Sequence, residues 1–277
     1  ALAAGALLIA ACGGGDDEEA TGDEPAATEA PTAEASATAT ADSGSNTDSD
    51  TAAAPGGSDT ALVVARGMDI NSLDPSLAYC DTCQIYLTAV YETLIGLAED
   101  NVTLEPRLAT AWESNPEQTE FTFTLDPAAT FADGTPVTSA DVKFSWERLK
   151  ALQGGSSYLA SLIDTVDTPD PQTVVVTLSA PNSAFLAQVN APYLGIINKA
   201  LAEANGATTD VATDAAEPWF LANSAGSGPF QLASYTEGNE LRLARNDAYW
   251  ATPAAFPEVI MRETPQAVTQ RQQLEQG

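Results

Sequence analysis

Between Gly13 and Thr60 the chain contains no Leu, Ile, Val or aromatic residue. Twelve acidic residues and no basic one fall in this run of Ala, Thr, Ser, Gly and Pro. Such a stretch buries too little apolar surface to offset the entropy of ordering it, so 13–60 is predicted to be a disordered linker. Repulsion among its carboxylates would extend it, as suits a tether. Folding is therefore left to residues 61–277. That is enough for one or two domains with a real core, given the 44% apolar content of the 277-residue chain.

Ahead of the linker lies an apolar run, Ala1 to Ala11, interrupted by Gly5. It is too short to span a bilayer as a helix but suits the apolar region of a secretory signal. Leu8-Ile9-Ala10-Ala11-Cys12-Gly13 resembles the bacterial lipobox, in which Cys12 becomes the lipidated N-terminus. The alternative is an ordinary secretory signal with an incidental cysteine. Residues 1–12 are thus predicted to be a partial lipoprotein signal peptide, lacking its charged start, and the chain is expected to be incomplete at both ends. A signal implies an extracytoplasmic, oxidising setting, with the domain held at the membrane by its lipid.

Charge and composition exclude several chemistries. The chain has 39 acidic and 10 basic side chains, a net charge of −29, and no histidine. Residues 61–277 alone still carry −17. A polyanion would be repelled, so no nucleic-acid partner is expected. Without histidine there is no Ser-His-Asp triad and no HExxH zinc helix, and neither a metal nor a cofactor is expected. Gly13-Gly14-Gly15 leads into no helix and is not a phosphate loop. A carboxylate- or lysine-based enzyme remains possible on composition, as does a protein that binds without reacting. Binding is the better reading, because paired carboxylates in so acidic a chain carry little information and their separation is not legible.

Along 61–277 the patterns alternate between strand and helix. Ala61–Arg66, Glu120–Leu125, Thr173–Leu178 and Glu258–Arg262 read as strands. Phe230–Ser234 and Glu240–Arg245 read as a hairpin around Glu237-Gly238-Asn239. Helices are predicted from about Gln84 to Leu94, with Leu87, Val90, Tyr91 and Leu94 on one face, and from the Thr138 cap to about Leu152. Shorter helical stretches are predicted from Pro106 to Trp112, after Asn182, and over Gln266–Gln276. Asp133-Gly134 marks a tight turn. Mixed elements with short links give a mixed α/β (α+β) fold class.

Six motifs in order carry a family resemblance. They are Leu73-Asp74-Pro75; Tyr91-Glu92-Thr93-Leu94; Leu108-Ala109-Thr110-Ala111-Trp112; the run Phe131 to Val142; Gly226-Ser227-Gly228-Pro229-Phe230; and Asn246-Asp247-Ala248-Tyr249-Trp250. Together they resemble the family 5 extracellular solute-binding proteins, the peptide-binding receptors of ABC importers. The resemblance implies a periplasmic-binding-protein type II-like fold, two-lobed, with an inserted subdomain and the second lobe largely missing here. By that analogy 61–95 and 190–258 form the base lobe, 96–189 the insert, and 259–277 the start of the truncated second lobe. In peptide-binding members the second lobe supplies the acidic group that anchors the peptide amine. The implied function is capture of extracytoplasmic peptides by a monomer and delivery to a membrane permease. Oligosaccharide, a nickel chelate or another small solute is the alternative cargo, and a carboxylate-based extracytoplasmic hydrolase the alternative class.

The resemblance also nominates ligand-binding residues. The loop Tyr79-Cys80-Asp81-Thr82 corresponds to a cleft edge where extended peptide can bond to main chain; the alternative is a plain surface loop. Tyr158 stands where peptide-binding members present a tyrosine, and its alternative is subdomain packing. Tyr249 has counterparts near the cleft, whereas Trp250, Trp112, Phe131 and Trp146 read as core. Ser227-Gly228-Pro229 reads as backbone geometry, with glycine supplying an unusual φ. Cys80 and Cys83 form a C-x-x-C pair, open to redox, zinc or disulfide readings. A small loop-rigidifying disulfide is favoured, since neither a thioredoxin-like setting nor further metal ligands are apparent.

Overall fold

The computed structural model describes residues 60–276. The signal segment 1–12 with its Cys12, and the linker as far as residue 59, lie outside them. The strands are β1 (Leu62–Arg66), β2 (Ile95–Leu97), β3 (Leu104–Pro106), β4 (Ala109–Ser114), β5 (Glu120–Leu125), β6 (Ile163–Asp170), β7 (Thr173–Leu178), β8 (Phe230–Thr236), β9 (Glu240–Arg245) and β10 (Glu258–Glu263). The α-helices are α1 (Asp81–Val90), α2 (Ser139–Leu152), α3 (Phe185–Gln188), α4 (Lys199–Ala204), α5 (Glu217–Phe220) and α6 (Ala267–Gln276). Among the described residues no helix is long and apolar enough to cross a membrane.

Two four-stranded sheets organise these elements. In the order β4-β5-β7-β6 every neighbour is antiparallel. Alternation in β5 puts Phe121, Phe123 and Leu125 inward, as period-2 geometry requires. They meet Val174 and Val176 of β7, Phe185 of α3, and Val142, Trp146 and Leu149 of α2. The Phe121 and Phe185 rings are 4.8 Å apart. The second sheet runs β1-β10-β9-β8, with β1 parallel to β10 and the rest antiparallel. Leu241, Leu243 and Met261 pack there beneath Leu87 and Val90 of α1.

Helix α2 links the cores, because Val142, Trp146 and Leu149 belong to one and Phe144 to the other. Its start follows the capping pattern: the Asp141 carboxylate accepts from the Thr138 N–H at 2.9 Å and the Thr138 hydroxyl at 2.6 Å. The other Asp141 oxygen accepts the Lys199 N–H at the start of α4. At Gly134 the turn takes φ +83°, the left-handed region that glycine enters without steric cost.

Three expectations need correction. Residues 106–112 are not helix but the end of β3, a bend at Arg107-Leu108 and the start of β4: Trp112 pairs with Phe123, and a register shift lies between Ala109 and Ala111. The gain from extending the β5 edge outweighs the helix propensity of an Ala-rich run too short to nucleate. Helix α1 starts at Asp81 and stops at Val90, earlier at both ends than predicted. Its C-terminus is closed from outside, where the Gly228 N–H donates to the Val90 carbonyl at 3.0 Å. Residues 259–263 do not open a second lobe. Apolar on both sides of the chain, Val259–Met261 insert between β1 and β9 as an interior strand of the same sheet.

Gly226 and Gly228 owe their identity to space, not to an unusual φ, since neither has positive φ. A Cβ on Gly226 would lie 1.9 Å from the Val90 carbonyl oxygen, and one on Gly228 2.7 Å from that of Ala89.

Near the middle of α2, Arg148 is fully buried. Its guanidinium donates to both oxygens of Asp74 at 2.6 Å, to both of Asp214 at 2.8 and 2.9 Å, and to the Ser76 hydroxyl at 3.0 Å. Burial pushes the Asp214 carboxyl up, but hydrogen bonds and charge from Arg148 outweigh this and leave it below its ordinary value. Arg148→Ala strands two buried carboxylates. It is expected to cost about 3–5 kcal/mol in denaturant unfolding, and a loss below about 1 kcal/mol would contradict this placement.

Candidate functional site

The loop after the Asp74 ion pair leads directly to the site. Leu77 and Ala78 donate their N–H groups to the Asp74 carbonyl, and Tyr79 donates its N–H to the Asn71 side-chain oxygen at 2.9 Å. Across from it the pair Gly154-Gly155 allows close approach. A Cβ on Gly155 would sit 2.8 Å from the Tyr79 ring, and one on Gly154 2.8 Å from the Ser76 carbonyl oxygen. Tyr79 is thereby held with half its surface exposed (49%).

Tyr79 borders a cleft of about 390 Å³ with Cys80, Asp81, Gln84, Tyr158 and Tyr193, closed by Leu159, Ala191 and Pro192. Its ring meets Tyr158 edge-on at 6.2 Å and Tyr193 at 5.4 Å, tilted by 46°. Tyr193 donates its hydroxyl to the Cys80 carbonyl at 3.2 Å. Hydrogen bonding to Tyr79 holds the Tyr158 phenol above its ordinary value, and burial does the same for Tyr193, so both stay neutral at neutral pH.

The start of α1 forms the floor. Cys80 and Cys83 are joined by a disulfide with Cα atoms 5.0 Å apart. Asp81 and Thr82, at the first turn, donate their N–H groups to the two oxygens of Asp69, each at 2.9 Å. These are donors that the helix itself cannot satisfy. Contact with Thr82 and the two N–H groups hold the Asp69 carboxyl down at about 2, against an ordinary 3.8.

Four nominated residues thus meet in one place: Tyr79, Cys80, Asp81 and Tyr158. Thr82 is fully buried, facing Asp69 beneath the cleft. Tyr249 lies elsewhere. It lines a depression of about 260 Å³ with Glu105, Pro106, Arg107 and Trp250. Between the two is a third depression of about 270 Å³, which shares Pro192 with the tyrosine cleft and Glu92 and Arg107 with the Tyr249 end. The three form one interrupted groove.

Glu92 anchors the far end of that groove. Its nearly buried carboxylate accepts from the Ser227 hydroxyl (2.9 Å), the Tyr249 hydroxyl (2.6 Å) and the Trp250 indole N–H (2.8 Å). Three of the sequence motifs therefore converge on one side chain. Burial and the Glu92 charge push the Tyr249 phenol well up. Tyr193, Gln84, Glu92 and Arg107 had no assigned role in the sequence. Tyr193 sits 114 residues from Tyr79, and only the pairing of distant segments brings the two rings together. Among the described residues no group of three or more Cys, Asp and Glu is placed to hold a metal ion.

Residues 103–277 match the family described as bacterial extracellular solute-binding proteins, family 5 Middle. The chain belongs to this family of two-lobed extracytoplasmic binding proteins. It is 33% identical over 220 residues to the probable D,D-dipeptide-binding periplasmic protein of Escherichia coli (strain K12), covering 78% of this chain and 42% of that one. A periplasmic binding protein from Helicobacter pylori, solved with the peptide STSA, superposes with a TM-score of 0.68 at 25% identity, covering 79% of this chain and 45% of that one. A binding protein from A. tumefaciens R10, solved with agropinic acid, gives 0.67 at 31% identity, covering 79% and 42%. The chain spans less than half the length of these relatives.

Two outcomes are expected here. Alkylation of protein purified without reductant should leave Cys80 and Cys83 unmodified, and rapid labelling of both would contradict a disulfide. Asp69 contributes stability while ionised, because its folded pKa lies below the unfolded value. Asp69→Ala should therefore melt earlier at pH 7, and the gap from the parent should close as the pH falls from about 4 towards 2. A gap that persists undiminished at pH 2 would contradict the cap.

Proposed function

We propose that this chain is the first half of the substrate-binding lipoprotein of an ABC importer. It captures extracytoplasmic peptides, is tethered through lipid on Cys12, and delivers its cargo to a membrane permease as a monomer. The observation that carries the reading is the exposed tyrosine cleft, beside the start of α1, in a fold shared with a peptide-bound binding protein. The domain limits follow the same reading: base lobe from 61–95 and 190 to the end of β10, insert 96–189. Helix α6 buries none of its residues, as befits a helix whose packing partners come from a second lobe.

Capture is a population shift. Cargo that touches both lobes favours the closed arrangement by the difference in its affinity for the two states. Extended main chain along the Tyr79–Asp81 edge would contribute side-chain-independent hydrogen bonds, and the rings would pack on whatever side chain lies above them. No step breaks a covalent bond, so the cargo leaves unchanged. A second reading keeps this role with another small solute; it is favoured by the 31% identity to a protein solved with agropinic acid.

Calorimetry of the full-length protein with simple dipeptides tests the proposal. Binding is expected, with the peptide recovered intact by mass spectrometry. Tyr158→Ala should weaken it about fivefold or more, by loss of about 1 kcal/mol or more of aromatic contact. As Tyr158 is 57% exposed, its loss should leave the unfolding free energy within about 0.5 kcal/mol of the parent. Equal affinity of the two forms would remove Tyr158 from the site, and hydrolysed peptide would favour the enzyme reading.

A further inference from the structure

We propose that the Cys80–Cys83 disulfide is a site of thiol–disulfide exchange, opened by an extracytoplasmic dithiol that attacks Cys80, and that its reduction loosens the tyrosine cleft's hold on cargo. The exchange stands on the geometry of the pair. The effect on cargo rests on the peptide-receptor reading.

The two sulfurs differ in access and in surroundings. Cys80 borders the cleft, whereas Cys83 is fully buried beneath it. Exchange requires a thiolate to reach the sulfur it attacks, so Cys80 is the entry point. Cys80 also caps α1, and its sulfur accepts the Cys83 N–H at 2.9 Å. Charge released there meets that donor and the positive end of the helix dipole, both of which stabilise a thiolate. Around the Cys83 sulfur lie acceptors instead, Asn71 Oδ1 at 3.2 Å and the Ser72 carbonyl oxygen at 3.5 Å. Facing acceptors, that sulfur is suited to be a thiol that donates its proton to them. Both members of the reduced pair thus have a polar partner waiting, a thiolate at Cys80 and a thiol at Cys83.

The chemistry takes two exchanges. One thiolate of the dithiol attacks the Cys80 sulfur, a mixed disulfide forms there, and the bond to Cys83 breaks with its electron pair going to Cys83, which takes up a proton. The second thiolate of the dithiol then attacks its own sulfur in the mixed disulfide, closing the reductant to a disulfide and releasing Cys80 as thiolate. Two electrons pass from the dithiol to the pair. Of the dithiol's two protons, one ends on Cys83 and the other in solvent.

Asn71 carries the change to the cleft. Its Oδ1 also accepts the Tyr79 N–H at 2.9 Å, and its Nδ2 donates to the Leu77 carbonyl at 3.3 Å. A new S–H donor on Cys83 competes for the oxygen that holds the Tyr79 main chain. Loss of the covalent bond also frees Cys80, whose carbonyl accepts the Tyr193 hydroxyl. Two of the three rings lose rigid support, and an edge that must be ordered when cargo binds lowers affinity. With a sequence separation of 3, the bridge constrains the unfolded chain less than a long-range one, so the reduced domain stays folded.

Native full-length protein treated with dithiothreitol, labelled with iodoacetamide and mapped by mass spectrometry tests the exchange. Cys80 should be labelled about tenfold faster than Cys83 or more. Cys83→Ser should form a mixed disulfide with oxidised glutathione, whereas Cys80→Ser should leave Cys83 unreacted until the protein is denatured. A pair that dithiothreitol reduces only after denaturation, or two thiols labelled at equal rates, would overturn the proposal. Calorimetry with alanyl-alanine should show the reduced protein binding about threefold weaker than the oxidised form or more, with reoxidation restoring the affinity. A smaller change would contradict the coupling to the cleft while the receptor reading stands. If the dipeptide binds neither form, the receptor reading fails, and the labelling rates still decide the exchange.

Discussion

A guanidinium without solvent, gripped by two carboxylates, underlies the geometry of the cleft. Arg148 projects from α2, whose apolar side belongs to both cores, and reaches the loop of Asp74 and Ser76 and the segment carrying Asp214. Three stretches far apart in sequence are thereby fixed against one another. Burying such charges has a large desolvation cost, recovered only when nearly every donor is matched. Here all three guanidinium nitrogens donate, and the Phe220 ring lies 5.5 Å from the guanidinium carbon. The edge proposed to bind cargo begins three residues after Ser76, so Tyr79 inherits its position from this ion pair.

Glu92 plays the matching part at the other end of the groove. Its three neutral donors come from the loop that stops α1 and from the Tyr249-Trp250 pair. The close approach at Gly226 and Gly228 is what lets that loop reach Val90 and place Ser227 against the carboxylate. Tyr249 is thus committed to Glu92 through its hydroxyl. Between the two anchors the groove changes character, from tyrosines with one carboxylate to a basic guanidinium at Arg107.

Much of the fold was legible because local patterns agreed with the final packing. The alternation of Glu120–Leu125, the Thr138–Asp141 cap and the Gly238 hairpin each had a single physical solution. Sequence failed where a distant partner decided the outcome. The Ala-rich run before Trp112 became a strand only because β5 offered an edge, and α1 ended early only because Gly228 meets Val90. Met261 lies inside a sheet whose other strands start some 200 residues earlier, at Leu62, and 31 earlier, at Phe230. The site shows the same division. Tyr79, Asp81 and Tyr158 were nominated by resemblance to a family, but Tyr193 and the split between the tyrosine cleft and Tyr249 depend on chain crossings that no local pattern records.

The central claim is that small extracytoplasmic cargo is held, unreacted, against the tyrosine cleft. A crystal structure of the full-length protein grown with a dipeptide tests it most directly. The account predicts an intact peptide in contact with the rings of Tyr79 and Tyr158, covered by a second lobe. A peptide bound away from those rings, or the same cleft filled by the protein's own second lobe with no room for cargo, would contradict it.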